Sequence, residues 1–185
     1  MKNVKTALII IFLLVLGGFL FIWVQKELAF REELRQRPLP TRLHPIVAEH
    51  RDRLIERTEE IGIDIVITDG FRSVEEQEAL YRQGREDSGN VVTYARGGES
   101  YHNYGLAIDF ALQLDDGNVV WDIERDDNGN GRRDWFEVAD IAKELGFEWG
   151  GDWERFRDYP HLQMTFGLSI KELQRGWRPE DVLEE

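Results

Sequence analysis

The sequence contains no cysteine among its 185 residues. This absence excludes disulfide bonds and any closed zinc site built from thiolate ligands. Basic residues are also scarce, 23 against 36 acidic ones, so the formal net charge is −13. Nucleic-acid binding needs basic surface patches, and this balance therefore argues against a nucleic-acid partner. No internal repeat is evident, and the length suits one domain with an appendage.

The appendage is one long uncharged run near the N-terminus, residues 7–24, which follows Lys2 and Lys5. At about 1.5 Å per residue, it crosses most of a hydrocarbon core of roughly 30 Å. The preceding lysines favour a cytoplasmic N-terminus at residues 1–6. We therefore expect a single-pass anchor in the cell membrane with the folded domain outside the cytoplasm. The alternative is a cleaved signal peptide and a secreted domain, although no small-residue cleavage pattern follows the run.

The remaining sequence predicts an α+β domain with a small antiparallel β-sheet flanked by helices. Residues 25–42 are expected to form a juxtamembrane helix and a proline-containing linker, 43–166 the folded domain, and 167–185 a polar tail. Apolar periodicity, capping residues and turn residues predict the elements of the domain. These are helices over 43–61, 74–83 and 135–145, and strands over 63–68, 105–114, 118–123 and 161–165.

Two side chains of metal-ligand type flank the start of the second predicted strand. His102 precedes it, and Asp109 lies within it between two apolar residues. A carboxylate in an apolar strand is costly unless it is paired or bound to a metal. Taken alone, Asp109 is better explained by a salt bridge or an edge-strand position, and His102 by a surface position, than by metal binding. His161 at the start of the last strand completes a set of two imidazoles and one carboxylate, which leaves a fourth tetrahedral position open for water.

Asp158 stands three residues before His161, with Pro160 between them. The proline breaks regular structure, so a turn can direct both side chains into one cavity. In that arrangement Asp158 would be the general base that takes a proton from water and returns it to the leaving amine. The alternative is an ordinary loop aspartate in a charged segment.

Together these residues form two motifs in order, Ser-x-His-x-x-Gly-x-Ala-x-Asp from Ser100 to Asp109 and Asp-x-x-His from Asp158 to His161. The pair resembles the zinc peptidoglycan peptidases related to D-alanyl-D-alanine carboxypeptidases and hedgehog-type domains. Within that group it is most similar to the L-alanyl-D-glutamate endopeptidases of Bacillus-type cell walls and phage lysins. The resemblance covers roughly residues 43–164.

The resemblance implies a role for several residues. Zinc would be held by His102, Asp109 and His161, with Asp158 as the base; an aspartate at the base position is similar to the endopeptidase branch. An arginine after the first strand faces the substrate carbonyl in such relatives, which implies that Arg72 stabilises the oxyanion. Its alternative is an ion pair with Glu75 or Glu76. Weaker candidates for substrate binding or for support of the site are Gln77, Ser100, Trp149 and Asp152, and Trp149 is equally well explained as a core residue.

A second metal site is predicted between the third strand and the following helix. The segment 126–137 matches the EF-hand loop pattern at every defined position. Its candidate calcium ligands are Asp126, Asn128, Asn130, the Arg132 carbonyl, Asp134 and Glu137. The element before the loop reads as a strand instead of a helix, so the alternative is an Asx-Gly turn without an ion.

The sequence therefore predicts a monomeric zinc metallopeptidase that faces the cell wall and cleaves peptidoglycan peptide stems, with the L-Ala–D-Glu bond as the target that the resemblance implies. One alternative is a D-Ala-D-Ala carboxypeptidase that uses the same site. An alternative of another class is a non-catalytic module on the membrane that binds zinc and calcium. Calcium would stabilise or switch the cleft.

Overall fold

The structure is a computed structural model that describes residues 2–183, with side chains described from residue 8 onward. The side chains of Lys2 and Lys5 lie outside the described part. The chain divides into two compact units. One is the described part of Met1–Pro38 with Arg175–Trp177, and the other is Leu39–Gln174 with the described part of Arg178–Glu185.

The first unit consists mainly of one helix, α1, which spans Lys2–Gln36. The large apolar side chains from Leu8 to Val24 are exposed, and the most apolar window of the helix has a mean hydropathy of 2.7. By length and composition this helix is able to cross a membrane. The predicted apolar helix is therefore present and continues without a break into the predicted juxtamembrane segment. Whether it remains as an anchor or is cleaved stays a prediction.

The second unit begins with a helix and a strand that follow the predicted order. Helix α2 spans Pro45–Glu59, and strand β1 spans Ile65–Asp69. A proline in the first turn lacks only an N–H that would have no helical partner there. Helix α3, Val74–Arg82, follows directly and carries the predicted capping box, in which Ser73 and Glu76 exchange side-chain to backbone hydrogen bonds.

A five-stranded antiparallel sheet forms the centre of this unit. The strands are β1, β2 (Ala107–Gln113), β3 (Val119–Val120), β4 (Glu148–Trp149) and β5 (His161–Gln163). Their order is β1-β2-β5-β4, and β3 also pairs with β2. Asp109 on β2 is the register partner of Asp69 on one side and of His161 on the other. The central strand therefore brings three polar positions together across the sheet.

The third strand is shorter than the sequence indicates. A returning strand over 118–123 is predicted, but only Val119 and Val120 pair with β2. The Asp122 carboxylate accepts a hydrogen bond from the Glu124 amide. This local turn offers the backbone an alternative to the ladder and ends the strand early.

Helix α4, Asp134–Glu144, covers the face of the sheet opposite Asp109. Successive side chains of a strand alternate between faces, so Phe110 points to the helix when Asp109 points away from it. Phe110 is buried and packs on the buried Trp135 with their ring centroids 4.6 Å apart. The hydrophobic core thus lies between sheet and helix, and the polar positions of β2 and β5 are left on the other side.

Several short elements were not predicted. They are β4, two 3₁₀ turns at Tyr101–Tyr104 and Gly150–Asp152, and the terminal helix α6, Glu180–Leu183. Helix α5, Ile170–Gln174, begins after Ser169, which exchanges hydrogen bonds with Glu172. Leu168 and Leu173 are buried, so the segment expected as a polar tail contributes to the folded unit. Elements of two to five residues carry too few positions to show a periodic pattern.

Gly105 offers a test of how β2 is entered. It has φ +67°, and a Cβ there would lie 2.3 Å from the Arg42 carbonyl oxygen. Gly117 has φ +83° with no atom within 4 Å of its Cβ position. The left-handed backbone alone costs an alanine about 1–2 kcal/mol. We expect Gly117→Ala to lower the free energy of unfolding by that amount. Gly105→Ala should lower it by about 3 kcal/mol or more, because the backbone at the start of β2 must also shift.

The measurement is urea unfolding of the full chain in detergent, followed by tryptophan fluorescence. Equal losses in the two variants would mean that the contact between Gly105 and Arg42 does not constrain the fold.

Candidate metal centre and cleft

Three side-chain atoms converge on one point at the paired ends of β2 and β5. His102 Nε2 lies 3.3 Å from Asp109 Oδ1, and His161 Nδ1 lies 3.2 Å from the same oxygen. The two ring nitrogens are 3.2 Å apart. Tetrahedral ligands bound at 2.0–2.1 Å stand about 3.3 Å from one another, so the spacing fits a zinc ion. Within the described residues, this is the one group of three or more His, Asp or Glu side chains with ligand atoms so close together.

The orientation of His102 is fixed by backbone on two sides. It lies in the Tyr101–Tyr104 turn, where the Ser100 side chain accepts a hydrogen bond from the His102 amide. Its Nδ1 lies 2.6 Å from the carbonyl oxygen of Gly70. A carbonyl oxygen can only accept, so Nδ1 carries the proton and Nε2 is left with a lone pair directed at the centre.

His161 is oriented by a chain of side chains that leads to the sheet edge. Its Nε2 lies 3.0 Å from Gln163 Oε1. The Gln163 amide nitrogen donates to Glu148 at 2.9 Å, and Glu148 also accepts from Thr165 at 2.7 Å. The carboxylate fixes which end of the amide faces His161, so Nε2 of His161 is the donor and Nδ1 is free for a metal.

The charge of Asp109 is stabilised by its two neighbours. Burial raises its pKa, but His102 and His161 outweigh burial when the nitrogens that face Asp109 are protonated, and they hold the pKa well below the ordinary value. The pKa of His161 responds in the opposite sense. Burial lowers it, and the Asp109 carboxylate more than compensates, so the net shift is upward. An ionised carboxylate between two imidazoles is the donor set that a divalent cation requires.

Asp158 lies on the predicted turn beside this centre. Its amide donates to the Gly150 carbonyl at 3.1 Å, and its own carbonyl accepts from His161 N at 3.2 Å. A Cβ on Gly150 would lie 2.4 Å from the Asp158 carbonyl oxygen, so the close approach of the two segments needs a glycine. Burial raises the pKa of the Asp158 carboxyl, and Asp109 adds to the rise. A carboxyl with a raised pKa beside a polar centre is suited to proton transfer.

Arg72 also lines this cleft and is held by Gln77, a predicted site residue, and by Asp69, which the sequence did not indicate. Its Nε donates to Asp69 at 3.1 Å, and its Nη1 donates to Gln77 at 2.8 Å. Its Nη2 also lies 3.7 Å from Asp109. In place of the predicted alternative, an ion pair with Glu75 or Glu76, the described ion pairs of Arg72 are with Asp69 and Asp109.

Gln77 is fully buried and joins Arg72 to a loop. While its oxygen accepts from Arg72, its amide nitrogen donates to the Ala95 carbonyl at 2.8 Å and to the Thr93 hydroxyl at 3.3 Å. Both the oxygen and the nitrogen of its side-chain amide therefore have hydrogen-bond partners inside the protein. These contacts place Gln77 between Arg72 and the loop, and its predicted role in support of the site stays a prediction.

The centre opens into a cleft with a volume of about 610 Å³. Aromatic side chains line it together with the polar groups, and four are substantially exposed: Tyr94, Trp121, Trp153 and Phe156. Tyr94 and Phe156 meet edge to face with ring centroids 5.6 Å apart. A mainly apolar cleft with a few convergent polar groups is the usual form of a ligand site.

The remaining predicted site residues differ in where they lie. Ser100 lines the cleft. Trp149 is buried, and its indole N–H donates to the Tyr159 carbonyl at 2.7 Å, so it supports the turn of Asp158 from behind. Asp152 pairs with Lys143 at 3.0 Å on the surface. Sequence reasoning missed Asp69, Glu148 and Gln163; of these, Gln163 is detectable because it shares a strand face with His161 at a spacing of two.

The predicted calcium loop is closed by its own hydrogen bonds. The side-chain amide of Asn130 donates to both oxygens of Glu137 at 2.9 and 3.0 Å. The Asp126 carboxylate accepts from the backbone amides of Asn130 and Gly131. Arg132 also lies 3.4 Å from Glu137. One oxygen of Asp134 is buried without a partner. Five of the six predicted ligand residues, all except Asp134, are thus engaged with one another, and calcium binding stays a prediction.

Several known proteins are similar to this chain. A family model described as D-alanyl-D-alanine carboxypeptidase matches residues 93–164. The peptidoglycan L-alanyl-D-glutamate endopeptidase CwlK of Bacillus subtilis (strain 168) is 57% identical over 156 residues, which cover 84% of this chain and 93% of that protein. The L-alanyl-D-glutamate peptidase of Listeria phage A118 is 34% identical over 114 residues, which cover 62% of this chain and 35% of the phage protein.

Among solved structures, the Serratia marcescens L-Ala D-Glu endopeptidase ChiX is 26% identical, with a TM-score of 0.46 over 71% of this chain and 84% of that chain.

The raised pKa of Asp158 has a consequence for stability. A carboxyl whose pKa rises on folding stabilises the fold while it is protonated. This contribution is complete below the unfolded pKa of about 3.9 and is lost as the pH rises through the folded value. At pH 7 the ionised Asp158 carboxylate therefore lowers the free energy of unfolding of the metal-free chain. We expect Asp158→Asn to raise the Tm of the chelator-treated chain by a few degrees at pH 7, and the gain to shrink towards pH 4.

Differential scanning fluorimetry at both pH values measures this difference. Asp152→Asn, at an exposed position, is the matched control. If both substitutions change the Tm equally, burial of Asp158 is not the cause.

Proposed function

The chain belongs to the peptidoglycan L-alanyl-D-glutamate endopeptidases, a group of metallopeptidases, and we propose that it hydrolyses the L-Ala–D-Glu bond of peptidoglycan stem peptides. Its relative from Bacillus subtilis carries that activity in its name at 57% identity over nearly its whole length. The observation that carries the proposal is the convergence of His102, Asp109 and His161 beside Asp158. A site that only bound a metal would have no need of a buried carboxyl next to its ligands.

Zinc is the metal that we propose for the three ligands. The separations of 3.2–3.3 Å between their atoms match tetrahedral zinc geometry. Both imidazoles also hold their protons on the nitrogen that faces away from the centre, so neither has to rearrange to bind. Zinc bound there supplies a Lewis acid and lowers the pKa of a bound water towards neutrality.

Asp158 is the proposed general base. It reaches the cleft from a turn that is fixed by backbone hydrogen bonds to Gly150 and His161. Its raised pKa increases its affinity for a proton compared with an ordinary aspartate. In the proposed mechanism the carboxylate takes the proton of the attacking water and then gives it to the amine of D-Glu as the peptide bond breaks.

Arg72 is the proposed stabiliser of the carbonyl oxygen. A guanidinium carries five N–H donors. Asp69 accepts from Nε and Nη2, and Gln77 accepts from Nη1, which leaves one further N–H on each terminal nitrogen. The others remain available to negative charge that develops in the cleft, and the fixed partners remove the need for reorganisation when that charge appears.

For the location we propose that α1 anchors the domain in the cell membrane with the cleft facing the wall. The length, composition and exposed apolar surface of α1 support this reading. The alternative is a cleaved leader and a secreted domain. N-terminal sequencing of the mature protein distinguishes the two, because a cleaved protein would begin after α1's apolar segment. The proposed monomer is tested by light scattering in detergent.

A second candidate activity is release of a terminal D-alanine, because the matching family model is described as a D-alanyl-D-alanine carboxypeptidase. Mass spectrometry of muropeptides incubated with the full chain and zinc separates the two. We expect a fragment that ends in L-alanine on the muramyl side and a peptide that begins with D-glutamate. Release of D-alanine alone would show that the chain is a carboxypeptidase and not an endopeptidase.

The same assay tests the roles of the side chains. Asp158→Ala is expected to retain zinc and to lose about 10²–10⁴-fold in kcat, because it removes only the proton acceptor. His102→Ala is its counterpart and is expected to lose both zinc and activity. Zinc content is measured by atomic absorption after gel filtration. Substantial hydrolysis by Asp158→Ala would remove this residue from the mechanism, and inactivity of the zinc-loaded parent would favour a binding module.

Arg72→Lys tests the oxyanion role at constant charge. A lysine ammonium cannot contact Asp69, Gln77 and the substrate together, so kcat should fall about 10²–10³-fold with little change in zinc content. Arg82→Lys at the end of α3, where the guanidinium pairs with Asp87, is the matched control and is expected to behave as the parent. A change in KM alone would show that Arg72 binds the substrate without stabilising the transition state.

A further inference from the structure

Trp121 lines the cleft but has no part in the reaction described above. Its side chain is 55% exposed although tryptophan is among the residues that gain most from burial. It lines the same cleft as His102, Asp109 and Asp158. An exposed indole inside a ligand site offers a flat apolar surface to whatever binds there.

The indole is supported from behind. Trp121 and the buried Trp135 have ring centroids 6.3 Å apart and planes tilted by 33°, and Trp135 in turn packs on Phe110. One side of the Trp121 ring is therefore held by the core while the rest remains accessible. Tyr94 and Phe156 differ in this respect, because their exposed rings already meet each other edge to face.

The pairing of β3 with β2 indicates how far along β2 Trp121 lies from Asp109. Val120 is the partner of Leu112 on β2. Trp121 directly follows Val120, so its backbone leaves the sheet near Ala111, which is two residues from Asp109 on β2. At about 3.3 Å per residue, this is about 7 Å along the strand. The Pro160 carbonyl accepts from the Phe110 amide on the same edge of β2, so the turn of Asp158 adjoins this position.

The substrate has a sugar at a matching distance from the bond that breaks. This step rests on the proposed function. In a stem peptide, L-alanine is joined to the muramyl sugar through a lactyl group. One amino acid residue spans about 3.5 Å and the lactyl group about the same. The pyranose ring therefore begins about 7 Å from the scissile carbonyl.

We propose that Trp121 is the platform on which the muramyl sugar of the substrate lies. One face of a pyranose presents C–H groups, which pack on an indole as other flat apolar groups do. Alternatives such as D-glutamate do not fit this surface, because a carboxylate on an uncharged ring gains no partner. The platform would favour stems still attached to sugar over free peptides.

The test compares two substrates of equal charge with the zinc-loaded full chain in detergent. One is a muramyl tetrapeptide, and the other is the same tetrapeptide with an N-acetyl group in place of the muramyl group. Trp121→Ala is expected to lower kcat/KM for the muramyl substrate about tenfold and to leave that for the acetyl peptide within about twofold. Trp121→Tyr should restore most of the loss, since it returns a flat ring. Val119→Ala, at an exposed position on the same hairpin, should affect neither substrate.

The acetyl peptide also reports whether each variant is folded and loaded. Equal losses on both substrates, or no loss on either, would overturn the sugar platform while leaving the endopeptidase intact. A loss selective for the muramyl substrate in Phe156→Ala but not in Trp121→Ala would overturn it as well, because the sugar would then lie on the other wall. Cleavage of neither substrate by the parent would reject the proposed function itself.

Discussion

The antiparallel pairing of β2 with β5 is the constraint on which the site depends. Asp109 and His161 are direct register partners, so the ladder hydrogen bonds set the separation of two of the three metal-ligand atoms. A slip of one residue would turn Asp109 towards the helices and bring Phe110 to the cleft. The core prevents this slip, since Phe110 is packed against Trp135 on the other face. Packing on one side of the sheet thereby fixes chemistry on the other.

Polar groups around the centre form a layer in which each partner restricts the next. Gly70 supplies a carbonyl to His102, while Gln163 and Glu148 supply a directed amide and a carboxylate to His161. Since carbonyls and carboxylates only accept, the proton positions on both rings follow from the chain of contacts. Such a network removes alternative orientations that a free imidazole would sample, which lowers the cost of assembling a metal site.

Much of this was accessible from the sequence because the decisive residues lie in local motifs. The capping box at Ser73, the strand around Asp109 and the turn at Pro160 each have patterns of their own. The residues that support the site do not. Glu148 approaches Gln163 from another strand, 15 positions away, and Asp69 contacts Arg72 where the register of β1 shifts at the end of the strand. Contacts that depend on strand order and register have no local pattern, and β3 ended early through a side-chain turn that a hairpin pattern does not include.

The buried amide of Gln77 has a consequence for how the cleft responds to occupancy. Its oxygen contacts Arg72, and its nitrogen contacts the loop at Thr93 and Ala95, which lines the cleft. If that loop withdraws, the buried amide loses its acceptors, and its hold on the guanidinium weakens. A ligand that secures the loop therefore also secures the arginine, and by thermodynamic reciprocity a well-placed arginine favours the seated loop. The loop and the arginine would therefore be least ordered when the cleft is empty. Binding of peptidoglycan would place Arg72 in its catalytic position.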